Sequence, residues 1–262
     1  MRRFLISTVV LSCLFVSSTV FADNVLLLGD TDAETQVQAA LEAAGHTVTF
    51  GGVYYDWDGV TPNVTGFDVV VLLNAYDYGY PLQATAATAL QAFVAAGGGL
   101  VLTEWTAYDV CSGYKGAIVD ALMPVTMPDC SDYGDDDTWT VDILGHPLVA
   151  GLPSSWTDAA GWSTVTTKPG ATVVVSGTAG NPMVVYWSAP GGTVVYINHD
   201  LTYTTSPISA EGIQLIINAA GYASAAAAAA GAAVPTLSAW GILVAVLSLA
   251  IAAVWSLRRL GS

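Results

Sequence analysis

From residue 24 onward the chain alternates short apolar runs with longer stretches of helical composition. Residues 24–28 form a continuous run closed by Gly29-Asp30, and 35–44 then read as a helix ended by Gly45. Residues 47–50 are short and β-branched, and 67–73 are a second unbroken apolar run. An Ala-rich helix is predicted over 82–96, stopped by Gly97-Gly98-Gly99, with an apolar strand at 100–103. Strands that are apolar without alternation are covered on both faces, and strands separated by helices build a parallel sheet. After Asp129 the texture changes to short runs between Gly and Pro turns, at 139–143, 162–166, 171–176, 183–187 and 193–197. Several of these are predicted to add to the sheet antiparallel, before a last helix over 208–220 closes the domain. The pattern therefore predicts an α/β fold: a mostly parallel sheet, helices on both faces, and added antiparallel strands. No internal repeat is visible.

The two ends carry a different pattern. Arg2-Arg3, an apolar stretch over 4–16 and a small-residue region ending in Ala22 have the layout of a secretory signal peptide over residues 1–22. A competing reading makes Cys13 a lipoprotein cysteine, although the apolar character continues past it. At the other end 239–257 is free of charge and long enough for a helix to cross roughly 30 Å of hydrocarbon, with Arg258 and Arg259 as a basic stop. Basic residues stay in the cytoplasm, so residues 23–222 are expected across the membrane as an exported domain, followed by an Ala-rich linker at 223–233. A plain single-pass anchor would show the same helix and stop.

Charge sharpens this picture. Of the six basic residues only Lys115 and Lys168 lie in the exported part, against all 21 carboxylates, a net charge of −19. Such a surface repels phosphate backbones and anionic headgroups, so no nucleic-acid partner is expected. With Cys13 gone, Cys111 and Cys130 are an even pair in an oxidising compartment; a disulfide is expected, and two buried free thiols are the alternative.

Val234-Pro235-Thr236-Leu237, the apolar helix and the basic end together resemble the IPTL-CTERM sorting signal, with valine at its first position. The resemblance implies recognition by an exosortase-type membrane protease in a Gram-negative bacterium that makes extracellular polysaccharide. It further implies residence in the inner membrane with the domain in the periplasm, then cleavage near 235–237 and delivery to the cell surface or beyond.

The body resembles a second family. The order strand, helix, strand, strand, helix, Gly-Gly-Gly, strand, and later Val194-Val195-Tyr196-Ile197-Asn198-His199-Asp200 before a helix, is similar to the class I glutamine amidotransferase-like, flavodoxin-like fold. The stretch His146-Pro147-Leu148-Val149-Ala150-Gly151-Leu152-Pro153 looks closer to its ThuA-like members. In amidotransferases a cysteine on a sharp turn after the strand at 100–103 is the nucleophile, activated by a histidine after the last strand. Here that turn is Thr103-Glu104-Trp105-Thr106, so His199 and Asp200 have the place of base and orienting acid with no thiol to serve. Glutamine hydrolysis is not expected, and no cofactor is implied.

In open α/β sheets ligands bind outside the carboxyl ends of the strands. The segments at those ends are rich in rings and acids: Asp30, then Tyr55 and Trp57, then Tyr76-Asp77-Tyr78 and Tyr80, then Trp105 with Tyr108, then Tyr203. Flat rings beside carboxylates suit a sugar, whose C–H faces stack while its hydroxyls are held. The rim residues Tyr55, Trp57, Tyr76, Asp77, Tyr78, Trp105 and Tyr108 are thus candidate carbohydrate contacts, with extracellular polysaccharide as the expected partner. Two alternatives stand beside this. Glu104 with Asp109, Asp200 or Asp77 is a candidate carboxylate pair for glycoside hydrolysis, and a structural surface role needs no ligand. The acidic run 129–137 offers Asp132, Asp135 and Asp137 as candidate Ca²⁺ ligands, although its spacing differs from an EF-hand and a solvated loop explains it as well.

Overall fold

The computed structural model describes residues 23–231 except 31, 189–190 and 205. The signal peptide, the 234–237 motif and the apolar helix lie outside the described residues; within them no helix is long and apolar enough to cross a membrane.

The first half of the chain builds β1 (Asn24–Gly29), α1 (Glu34–Ala43), β2 (Thr47–Val53), β3 (Val69–Leu72), α2 (Ala84–Ala95), β4 (Gly99–Thr103), α3 (Trp105–Cys111) and α4 (Ala117–Leu122). Short strands follow: β5 (Val125–Thr126), β6 (Tyr133–Gly134), β7 (Asp137–Val141), β8 (Ser155–Asp158), β9 (Trp162–Ser163) and β10 (Thr166–Thr167). The chain closes with β11 (Thr172–Ser176), β12 (Pro182–Ser188), β13 (Thr193–Ile197) and α5 (Ala210–Gly231). Nine strands form one sheet in the order β2-β1-β3-β4-β13-β12-β11-β7-β8. The pairs from β2 to β13 are parallel and those from β13 to β8 antiparallel.

The unbroken apolar runs sit where both faces are covered. In β1, Val25 and Leu27 face the layer that holds Val37 and Leu41 of α1 and Leu215 and Ile216 of α5. Its Leu26 and Leu28 face the layer of Leu90, Phe93 and Val94 of α2. The helices dock through apolar residues three or four positions apart, which share one face. On the α5 side the helix comes close at Gly99, where a Cβ would lie 2.8 Å from that of Ala223.

Three differences from the sequence pattern have physical causes. The run 162–166 is not one strand: Trp162–Ser163 pairs with β6 and Thr166–Thr167 with β5, in two separate ribbons. Helices α3 and α4 form where no helix was expected; both are short and carry no side-chain cap. The last helix runs on to Gly231, so the stretch expected as linker is helical that far, in keeping with alanine's high helix propensity.

Candidate functional site

The carboxyl ends of the parallel strands meet at one edge, and their first residues hold the edge together. Thr103, last in β4, accepts from the Asn74 N–H at 2.8 Å and donates to the Asn74 carbonyl at 3.1 Å, tying β4 to the end of β3. Asp30, after β1, accepts the N–H groups of Ala75, Tyr76 and Asp77 at 2.8, 3.2 and 2.9 Å. Burial nevertheless pushes its carboxyl up to about 6. Asp109 of α3 accepts from the Asn74 side chain and the Gly79 N–H, each at 2.8 Å, and forms a fully buried ion pair with Lys115. The Lys115 ammonium also lies 4.1 Å from the Tyr54 ring centre. The loop 74–80 is thus held from below.

A second set of residues straps the 161–165 segment over the ends of β12 and β13. Asn198 accepts from the Ser163 N–H at 3.0 Å and donates to the Ser163 carbonyl at 2.8 Å. Asn181 reaches the same carbonyl at 2.9 Å and accepts from Val165 N–H at 3.0 Å. At Gly161 a Cβ would fall 2.5 Å from an Asp200 carboxylate oxygen, so a larger residue there would displace that carboxylate. The Cys111–Cys130 disulfide, with Cα atoms 5.6 Å apart, ties the loop that carries β6 to the end of α3.

Between these two sets lies a cavity of about 860 Å³, open to solvent. Its walls are Tyr76, Asp77, Tyr78 and Tyr80 from the β3 loop, Glu104 and Trp105 from the β4 turn, Tyr133 to Asp135, Gly161 and Trp162, and Tyr203 and Thr204. Tyr78 stacks on Trp105 at 4.5 Å, and Tyr203 stands edge-on to both, at 5.3 and 4.9 Å. Tyr133 tilts onto Trp105 at 5.9 Å. Glu104 is at the floor, 1% exposed, one carboxyl oxygen bonded to the Ser163 hydroxyl and the other without a partner among the described residues. Burial, together with Asp200, Asp109 and Asp135, holds this carboxyl well above its ordinary range, against the Ser163 bond that lowers it. Glu104 thus faces a ring-lined cavity with its proton held more tightly than that of an ordinary glutamate. The Trp105 indole N–H is likewise buried without a partner among the described residues.

The structure distributes the sequence candidates unevenly. Tyr76, Asp77, Tyr78 and Trp105 line the cavity with Glu104. Tyr108 packs edge-on behind Tyr78 and Trp105, at 5.5 and 5.3 Å. Tyr55 stacks on Tyr80 at 4.6 Å and bonds the Asp77 carboxylate at 3.1 Å. Trp57 is 2% exposed and donates to the Pro62 carbonyl at 3.0 Å, a core position apart from the cavity. His199 turns the other way: its Nδ1 accepts from the Leu201 N–H at 2.8 Å, so its proton sits on Nε2, which faces Asp158 at 3.6 Å and Ser209 at 3.4 Å. Asp158, not Asp200, is its carboxylate, and its own pKa is held down to about 2 although burial opposes this, with the His199 bond and charge the leading causes that lower it. Asp200 instead bonds the hydroxyl and N–H of Thr204. Among the metal candidates, Asp137 is buried and accepts from Thr178 and Thr138, closing a turn. No group of three or more His, Cys, Asp or Glu among the described residues is placed to hold a metal ion. Tyr133 and Trp162 were not among the sequence candidates for the rim, because two-residue strands bring them there.

The fold is ThuA-like. The chain is similar to a cytoplasmic protein from Salmonella typhimurium, at TM-score 0.60 and 15% identity over 77% of this chain and 98% of that one. A ThuA-like protein from Parabacteroides merdae matches at TM-score 0.58 and 15% identity, over 78% and 90%. A β-galactosidase from Rahnella contains a similar unit, at TM-score 0.53 and 16% identity, over 76% of this chain and 30% of the enzyme. No protein-family model matches the sequence, and no curated protein sequence does.

Proposed function

We propose that this is an exported, surface-sorted bacterial protein whose domain binds carbohydrate, without catalysis, in the cavity at the carboxyl edge of its sheet. The observation that carries the reading is the wall of rings around Trp105, with Asp77, Asp135 and Glu104 beside them. Rings meet the C–H faces of a sugar, and carboxyl groups hold its hydroxyls. The elbow that would carry a nucleophilic thiol carries Glu104, and His199 faces away toward Asp158. Neither amidotransferase chemistry nor a base at that position is supported.

Export rests on the signal-peptide pattern at 1–22 and on the disulfide, since such bonds persist in oxidising compartments. Sorting by an exosortase-type protease rests on the 234–237 motif, and extracellular polysaccharide is the partner that such sorting favours. Helix α5 runs from the carboxyl edge, where Ile208 bonds Gln36, to the start of β4, where Ala223 meets Gly99. The chain therefore leaves the domain at the edge opposite the cavity, which suits a binding face turned away from a membrane.

The test is retention of the full-length protein on a panel of immobilised bacterial and plant polysaccharides, with new reducing ends assayed in parallel. Retention without release supports a binding module. Release of reducing ends supports the second reading, glycoside hydrolysis with Glu104 as the acid, which the upward shift of its pKa in the cavity favours. Neither retention nor release on any member would remove the carbohydrate reading.

A further inference from the structure

Two ring stacks border the cavity. Tyr78 on Trp105, with Tyr203 and Tyr133 beside them, is the first. Tyr80 also lines the cavity and belongs to the second, stacked on Tyr55 at 4.6 Å with 26° between the ring planes. Residues two apart in an extended segment share a face, so Tyr78 and Tyr80 would ordinarily point the same way. Gly79 between them has φ of 82°, a left-handed conformation that glycine adopts freely, and the chain turns there. The two tyrosines go to different stacks.

The second stack is held in place from below. The Tyr55 hydroxyl donates to the Asp77 carboxylate at 3.1 Å, the Gly79 N–H donates to Asp109 at 2.8 Å, and the Tyr80 carbonyl accepts from the Lys115 ammonium at 3.4 Å. With one face of its ring on Tyr55, Tyr80 is still 50% exposed, so the other side of the ring is open. A ring backed on one face and open on the other is a ready platform for the C–H face of a sugar. The volume agrees, because about 860 Å³ is toward the upper end of the roughly 300–1,000 Å³ of ligand sites and exceeds what one sugar ring fills.

We propose that Tyr80 is the platform of a second sugar subsite, so that the cavity takes several consecutive units of one glycan chain, one against the Trp105 group and another against Tyr80. This rests on the carbohydrate reading and narrows it to oligosaccharides over single sugars.

The probes are the monosaccharide and tetrasaccharide fractions cut by partial acid hydrolysis from the polysaccharide that retains the full-length protein most strongly. Each is used to displace the protein from that polysaccharide. The tetrasaccharide is expected to act at a concentration about thirtyfold or more below that of the monosaccharide. Four registers on a single subsite would account for only about fourfold. Tyr80→Ala, a change at a half-exposed ring, is expected to weaken the tetrasaccharide about tenfold and the monosaccharide by no more than about twofold, and Tyr80→Phe, which keeps the ring face, to restore the parent ratio. A parent ratio of about fourfold or less, a ratio that Tyr80→Ala leaves unchanged, or equal weakening of both sugars would overturn the second subsite while leaving carbohydrate binding in place. Retention by no polysaccharide would remove both readings.

Discussion

The two halves of the sheet edge are made from the same residue types and do different work. Beneath the 74–80 loop, Asp30 after β1 and Asp109 of α3 have their oxygens filled by backbone N–H groups, Asn74 and Lys115, with the Asn74 Oδ1 alone of this group lacking a partner among the described residues, and Trp57 is in the core. On the β4 and β13 side Glu104 has an oxygen and Trp105 an N–H without a partner among the described residues, and Tyr133 and Tyr203 stand exposed. The first half is a scaffold that fixes the 74–80 loop. The second is a surface left incomplete, which is what a binding site requires and a scaffold avoids.

Changes to the two halves should therefore separate stability from binding. The largest effect is expected for Lys115→Ala, which leaves Asp109 charged and buried without its ion-pair partner, at a loss of about 3–5 kcal/mol in urea denaturation. A loss under 1 kcal/mol would mean that the scaffold half is not built on this pair. Replacing Cys111 and Cys130 by Ala removes a cross-link between residues 19 apart in sequence and is expected to cost about 3 kcal/mol. It should also weaken glycan binding, because Tyr133 and Asp135 are on the tethered loop.

The pH dependence comes next. Asp30, pushed up to about 6, holds its proton more tightly folded than unfolded, so stability falls as pH rises from about 4 to 6. Asp158, held down to about 2, contributes stability above about pH 4 that is lost as pH falls through its folded value. These two groups place their joint maximum near pH 4, and denaturation of Asp30→Asn should show a shallower fall above it, by about 3 kcal/mol, with the remainder left to Glu104, Asp200 and Glu34, whose carboxyls burial also pushes up. The last stability effect is that of Glu104→Gln, expected to cause no loss at neutral pH, since burial raises the pKa of the acid and an amide of the same shape needs no proton to be buried there. A large loss there would show Glu104 to be ionised and structural.

Much of this was legible in the sequence, for reasons that residues make plain. Uninterrupted apolar runs such as 24–28 can only be doubly covered strands, and the sheet places them so. Tyr76, Asp77, Tyr78 and Trp105 directly follow strand ends, so the parallel sheet brings them together. Trp57 follows a strand as well, yet its indole turns to Pro62; which way a loop ring points depends on local packing that spacing does not encode. His199 fails for the same reason, its ring drawn toward Asp158 from a strand far away in sequence. The contribution of 133–135 had a signal that reading by strands alone overlooks: Cys111 closes the helix that begins at Trp105, so its partner Cys130 brings the acidic loop to the cavity.

The central claim is that the incomplete half binds and the satisfied half supports. Its most direct test is the affinity of the full-length protein for a retained glycan, measured for Trp105→Leu beside Trp57→Phe. The account predicts at least a tenfold loss for Trp105→Leu, on the order of one ring's stacking energy, with Trp57→Phe unchanged in affinity and about 1 kcal/mol less stable. Equal affinities for both variants and the parent, or a loss confined to Trp57→Phe, would contradict it.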